Sequence, residues 1–167
     1  MSGPNVRWLN DSEMLAWRSL VETTTSVLAV LDNELQAEHD LSLGDYQVLH
    51  YLSQAPDGAM RMSELASQLH LSPSGITRRI DGLVRVGFVE RRKCPSDRRG
   101  SNAVLTALGL KMLRTAAPTH VRGVRAHVVD RLTAGQLAAL AEALSSIDVD
   151  AERAAGGCDT AEALANS

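Results

Sequence analysis

Apolar residues recur at helical spacing along most of the chain, and that period gives way to short extended runs at one place only. Leu15, Leu20, Val21, Val27, Leu28, Leu31 and Leu35 mark a first helix, which opens at the capping box Asn10-Asp11-Ser12-Glu13 and runs to about Glu38. Its length is roughly 40 Å at about 1.5 Å per residue, more than one small core covers, so its apolar stripe predicts an oligomer interface. A second helix follows Ser42, with Asp45 completing another capping box, and carries Tyr46, Val48, Leu49 and Leu52 to the breaker Pro56-Asp57-Gly58. MSELASQLH predicts a helix of about two turns, in which Arg61 stands where a capping hydroxyl would suit and Ser63 is the alternative cap. The next helix is sharply bounded by Ser72 as N-cap, Pro73 at the first position and Gly87 past its end. Ile76, Ile80 and Leu83 share one face; Ser74, Arg78, Asp81 and Arg85 lie opposite, with Gly75 and Gly82 near them. Two helices joined at His70-Leu71-Ser72 form a helix-turn-helix.

After Gly87 the period changes. Phe88-Val89 leads into Arg91-Arg92-Lys93, the turn Cys94-Pro95-Ser96-Asp97 and then Ala103-Val104-Leu105, which together read as a hairpin. The fold class is therefore mainly α with a small β-hairpin wing, a winged helix-turn-helix. Residues from Thr106 to Asp130 are expected to be helical with a kink at Pro118. Thr133-Ala134-Gly135-Gln136 opens a last amphipathic helix with Leu137, Leu140, Ala141, Leu144 and Ile147. The tail 156–167 is expected to fray.

Charge sharpens this outline. The 167-residue chain has a net charge of −3 and a pI near 5.9. From Arg78 to Gly100, however, eight basic residues face three acidic ones, a local +5 that leaves −8 elsewhere. Such segregation marks an anion-binding face on an acidic body. No apolar run suits a membrane span and the N-terminus lacks a signal-peptide core, so a cytoplasmic protein with no membrane partner is expected. Two cysteines, Cys94 and Cys158, do not make a disulfide framework. No nucleophile–base pair, glycine-rich phosphate loop or convergent metal motif is present, so neither an enzyme nor a cofactor is expected.

The segment MSELASQLHLSPSGITRRIDGLVRVGFVERRKCPSDRRGSNAVLTALG, residues 62–109, resembles the MarR family of bacterial transcriptional regulators. It carries the ELA…L…LS.S..TR..D.L...G.V.R core, a D-R-R wing and L-T-x-x-G, and LSLGDYQVL extends the likeness upstream. The resemblance implies a homodimer. Residues 1–42 and 107–155 would form the dimerisation helices, 43–106 the DNA-binding lobe and 156–167 a disordered tail. It implies a repressor that binds a pseudo-palindromic operator in double-stranded DNA, with half-sites about 34–36 Å apart. On the recognition helix Ser72, Ser74, Gly75, Thr77, Arg78 and Arg79 are the DNA-binding candidates, Ser72 and the first-turn N–H groups toward a phosphate. On the wing Asp97 would hold Arg99 in a minor groove, while Arg91, Arg92, Lys93 and Arg98 meet phosphates. Arg79, at the edge of the buried face, has an alternative as an internal partner of Asp81 or of a neighbouring lobe.

Further readings compete at particular residues. Cys94 beside Lys93 would favour a thiolate and so a redox-sensing regulator, although the family's peroxide sensors place their cysteine near the N-terminus. His39, His50, His70, His120 and His127 are scattered, and solvated histidines rather than metal ligands are expected. The family default of a small effector, often an aromatic carboxylate, points to Trp17, Arg18, Tyr46 and His50 as its candidate pocket. A winged helix that binds protein instead of DNA is a separate possibility, disfavoured by the unpaired cations of the wing.

Overall fold

In a computed structural model the structure describes the backbone of residues 6–94 and 97–147, with side chains for 6–92 and 101–147. The first helix, α1 (Asp11–His39), starts as its sequence requires. The Asn10 side chain accepts from the Glu13 N–H, and the Glu13 carboxylate accepts from the Asn10 N–H. The second box is half made. Ser42 caps α2 (Leu43–Gln54) by accepting from the Asp45 N–H, but the Asp45 carboxylate accepts from the Ser42 hydroxyl instead of reaching back to the backbone. The Leu43 N–H donates to Asp32 on α1 at 2.8 Å, so a neighbouring helix satisfies an orphan donor of α2.

Pro56–Gly58 form a 3₁₀ turn with Asp57 at φ 55° and Gly58 at φ 63°, which sends the chain into β1 (Ala59–Arg61). Helix α3 (Met62–Gln68) has Arg61 at its N-cap with no side-chain cap, so Ser63 does not serve as one. The turn to α4 (Pro73–Arg85) is a Schellman motif, with His70 N–H donating to the Ser67 carbonyl and Leu71 N–H to that of Ala66. His70, at φ 50°, holds the left-handed position. A second Schellman motif ends α4: Gly87, at φ 79°, donates to the Val84 carbonyl and Phe88 to that of Leu83. It feeds directly into β2 (Val89–Cys94).

The sheet has three antiparallel strands in the order β1-β3-β2, with β3 spanning Asp97–Leu105. The expected hairpin is its β2–β3 part; β1 is an addition. Arg61, Asn102 and Arg92 share one register line across it, and pairing closes at Cys94 opposite Asp97. Leu35, Val48, Leu49, Leu65, Ile76 and Ile80 are fully buried in the core, joined by Val89 from the sheet and Leu113 from α5 (Ala107–His127).

Only the C-terminal half of α1 enters this core. Leu31 and Leu35 are buried, whereas Met14, Trp17, Val21 and Leu28 on the same stripe are exposed. A polar seam joins α1 to α5. The Thr119 hydroxyl donates to Glu38 and accepts from His39 Nε2, both at 2.8 Å, Arg122 donates to Glu38, and His127 Nε2 donates to Glu34 at 2.8 Å. Since the Thr119 proton goes to Glu38, His39 must carry its own proton on Nε2. The Arg122 hydrogen bond, followed by that of Thr119, holds the Glu38 carboxyl below its ordinary value of 4.5. Helix α5 runs through Pro118 and ends at His127, so the expected helix to Asp130 is shorter, with a 3₁₀ turn at Val129–Arg131.

The described residues divide into two compact units, one ending at His127 and the other beginning at Val128. In the second, α6 (Ala134–Ser146) opens at a complete capping box of Thr133 and Gln136. None of its residues is buried, and Leu140, Leu144 and Ile147 are exposed. No helix among the described residues is long and apolar enough to cross a membrane. The expected tail at 156–167 lies outside the described residues.

Candidate nucleic-acid interface

Helix α4 turns one side inward through Ile76, Ile80 and Leu83 and leaves Ser74, Thr77, Arg78, Asp81 and Arg85 exposed. Ser72 fixes its start: its hydroxyl accepts from the Gly75 N–H at 3.1 Å and lies 3.1 Å from the Ser74 hydroxyl. Pro73 at the first position has no N–H to satisfy, which leaves the Ser74 N–H as the free donor of that turn. Thr77 donates its hydroxyl to the Pro73 carbonyl at 2.7 Å, so toward a ligand it offers a lone pair and a methyl group. Arg78 is exposed and makes no hydrogen bond or ion pair with any described residue. Beside it Gly75 and Gly82 line a shallow depression with Leu71, Asp45 and Arg79.

The structure separates the sequence candidates by what they already hold. Arg79 does not pair with Asp81. Its guanidinium donates to Asp45 at 3.0 Å and to the Ser42 hydroxyl at 3.2 Å, at the start of α2. Arg91 takes Asp81, at 2.9 Å, and also donates to the Thr77 carbonyl at 3.2 Å, which ties the base of the wing to the middle of α4. Arg92 pairs with Glu90 on its own strand. Lys93, Cys94, Asp97, Arg98 and Arg99 lie on the paired strands, but their side chains are outside the described ones.

The effector candidates divide in the same way. Tyr46 and His50 sit one turn apart on α2 with parallel rings 6.4 Å apart. His120 of α5 packs on Tyr46 at 4.6 Å, a residue the sequence could not place there because it lies 70 positions beyond His50. Trp17 and Arg18 are not part of this cluster: they lie about 14 residues, roughly 20 Å, up α1 from the buried Leu31. Arg18 faces Glu22 at 3.5 Å.

The expectation of solvated histidines is corrected at four positions. His39 and His127 are hydrogen-bonded into the α1–α5 seam, and His50 and His120 are half-buried with Nδ1 atoms that find no partner among the described residues. The tertiary fold overrides the polarity of the side chain: Thr119 and Glu34 satisfy His39 and His127, and the imidazoles of His50 and His120 pack against Tyr46. Burial pushes both His50 and His120 below the ordinary 6.5, with His50 adding to the effect on His120, and burial raises Tyr46 above its ordinary 10.0. A histidine whose value is lowered in the folded state binds fewer protons there than when unfolded. Its contribution is therefore complete above pH 6.5 and is lost as pH falls toward the lowered value. The Tm of the wild type should fall between pH 7.5 and 5.5, and the double variant His50→Gln/His120→Gln should show a flatter profile; parallel profiles would clear these histidines of responsibility. Protonation of Glu38 acts in a separate window, below 4.5.

Comparison with known proteins places this arrangement. The profile of the MarR family matches residues 39–100, which run from the end of α1 to the wing. A curated relative, the HTH-type transcriptional repressor YetL of Bacillus subtilis, is 34% identical over 90 residues; the match spans about half of each chain, 54%. Among solved structures, Sco3205 of Streptomyces coelicolor, a MarR family transcriptional regulator in complex with DNA, superposes with a TM-score of 0.82. It is 37% identical over 87% of this chain and 91% of its own. AbsC, a MarR family transcriptional regulator of the same organism, superposes at 0.80 with 39% identity, over 91% of this chain and 100% of its own. With likeness on this scale along nearly the whole length of both regulators, the chain belongs to the MarR family of transcriptional regulators.

Proposed function

We propose that the protein is a homodimeric repressor that reads a pseudo-palindromic operator through α4 and the wing. The observation that carries this reading is the outer face of α4: Ser74, Gly75 and Arg78, which has no partner among the described residues, set beside the base of the wing. Small residues at the helix N-terminus permit close approach to base edges, the free Ser74 N–H suits a phosphate, and Arg78 can pair with guanine or with a phosphate. The DNA complex of Sco3205 supports the same use of the fold. Asp97 and Arg99 are assigned to the minor groove, and Lys93 and Arg98 to phosphates. Arg91 and Arg92 would contribute mainly to the field, since each already holds a carboxylate. Dimerisation is assigned to residues 1–42 and 107–155, around the exposed stripe of α1.

An effector of the aromatic anionic class would be received at Tyr46, His50 and His120. Two imidazoles whose Nδ1 atoms have no partner among the described residues each offer a donor or an acceptor, according to tautomer, beside an aromatic wall. Trp17 and Arg18 could join that ring cluster only from a second copy of the chain.

Fluorescence anisotropy tests the central reading on a duplex from upstream of the protein's own gene, with a scrambled duplex as control. Wild type should prefer the native duplex by about a thousandfold at physiological salt. Arg78→Ala should cost about ten- to a hundredfold of its native-duplex affinity. Binding without salt dependence, or no binding to either duplex, would count against DNA as the partner and favour a protein-binding module.

A further inference from the structure

Arg78 and Arg79 are neighbours on α4, yet they face different surroundings. Arg78 is free among the described residues, while the Arg79 side chain is only 30% exposed and bonded at both of its contacts. The group that receives Arg79 is complete without any outside ligand. The Ser42 hydroxyl donates its proton to Asp45 at 2.7 Å and accepts from the Asp45 N–H at 3.1 Å and from Arg79 at 3.2 Å, which uses its proton and both lone pairs. Next to it, Asp32 of α1 accepts from the Leu43 N–H at 2.8 Å. A short polar path therefore runs from α1 through the first turn of α2 to the middle of α4.

Gly44 adds an independent observation. A Cβ at this position would stand 2.4 Å from Arg79 Nη1, 2.5 Å from its Cζ and 2.7 Å from Nη2. Glycine is a poor residue for the first turn of a helix, and its backbone is not in the left-handed region that would require it. Its role is to leave room for the guanidinium.

We infer that Arg79 is a positioning residue, clamped by Asp45 and Ser42 over Gly44, that fixes α4 against α2 so that Arg78 and Ser74 meet DNA in register. The inference rests on the DNA-binding reading for its consequence, and on the geometry of the lobe alone for the clamp. Arg79 is thus removed from the set of direct contacts. Its charge is balanced by Asp45, and its loss should disturb which sequence is bound more than how strongly any DNA is attracted.

Gly44→Ala separates positioning from contact because it leaves the Arg79 charge in the protein and displaces only the flexible end of its side chain. The full-length wild type, Gly44→Ala and Arg79→Met are compared on the native and scrambled duplexes across a salt series. Hydrogen exchange of the free proteins is followed along α4 and the first turn of α2. Both variants should lose about tenfold or more of the preference for the native duplex. Their salt slopes should stay unchanged, and exchange should be faster over Ile76–Ile80. Gly44→Ala should keep or raise its Tm, which a merely destabilising change would not do. A uniform loss of affinity in Arg79→Met with a salt slope lower by about one, beside a Gly44→Ala that binds as wild type, would overturn the inference and make Arg79 a phosphate contact. Unchanged exchange in both variants would overturn the clamp even if the wild type showed no preference between duplexes, an outcome that by itself speaks only against the DNA-binding reading.

Discussion

Gly109→Ala should be among the most damaging single substitutions in the lobe, at roughly 3 kcal/mol and, for a chain of this size, roughly 10 °C in Tm. A Cβ there would lie 2.1 Å from the Phe88 carbonyl oxygen and 2.8 Å from Leu105 Cδ1. The carbonyl has little room to give way, since it accepts from the Thr106 N–H at 3.1 Å, while the Thr106 hydroxyl shares its one proton between this carbonyl at 3.1 Å and that of Gly87 at 2.7 Å. Thr106 in turn accepts from the Gly109 N–H at 3.0 Å, so the glycine, the cap of α5 and the loop after α4 form one closed unit. The gain in helix propensity from alanine, about 1 kcal/mol, is too small to offset a collision with backbone. Gly82→Ala is the matched control: nothing lies within 4 Å of its Cβ position, and it should be neutral or stabilising by about 0.5–1 kcal/mol. Thermal unfolding of the two variants side by side checks both. Equal Tm values would mean that α5 is not seated on the Phe88 carbonyl as described.

The second large effect should come from Val21→Glu combined with Leu28→Glu. Both side chains are exposed in the single chain, at 43% and 46%, and follow Met14 and Trp17 at spacings that keep them on one stripe. If that stripe were a free surface, two glutamates on it would change stability by little more than about 0.5 kcal/mol. As the proposed dimer interface, it would be forced to bury four uncompensated carboxylates, two from each copy, and the dimer should dissociate. Operator affinity should then fall by about a hundredfold or more, because a single lobe loses the second, effectively intramolecular contact. Light scattering should show a mass near the 17.9 kDa of one chain for the variant and about twice that for the wild type. A wild-type mass of one chain, or a variant that remains a dimer, would place the interface elsewhere.

What could be read in advance was what the chain writes locally. The caps at Asn10, Ser42, Ser72 and Thr133 stand where helices start, and Gly87 is the left-handed residue after α4. The L-T-x-x-G string was recognisable as a motif, but its reason is the Phe88 carbonyl, which only the folded chain brings over Gly109. Strand β1 escaped notice because Ala59-Met60-Arg61 has no alternation of its own and is extended only through pairing with β3. The turn before α4 was legible as a turn but not as a Schellman motif, since a histidine and not a glycine holds its left-handed position. The site was legible as a face and not as a set of roles. Helical spacing put Arg78 outward, whereas the bonds of Arg79 to Asp45 and of Arg91 to Asp81 span 34 and 10 positions and have no local signature.

The Schellman loop at Gly87 and the Arg91 bridge to Asp81 and Thr77 together weld β2 onto α4. Helix and strand base then travel as one rigid piece. If DNA is bound in the way proposed, such a piece would work as a gauge: it would measure how far a major groove lies from the minor groove beside it, and would reject duplexes of the wrong width even where every base it touches is correct.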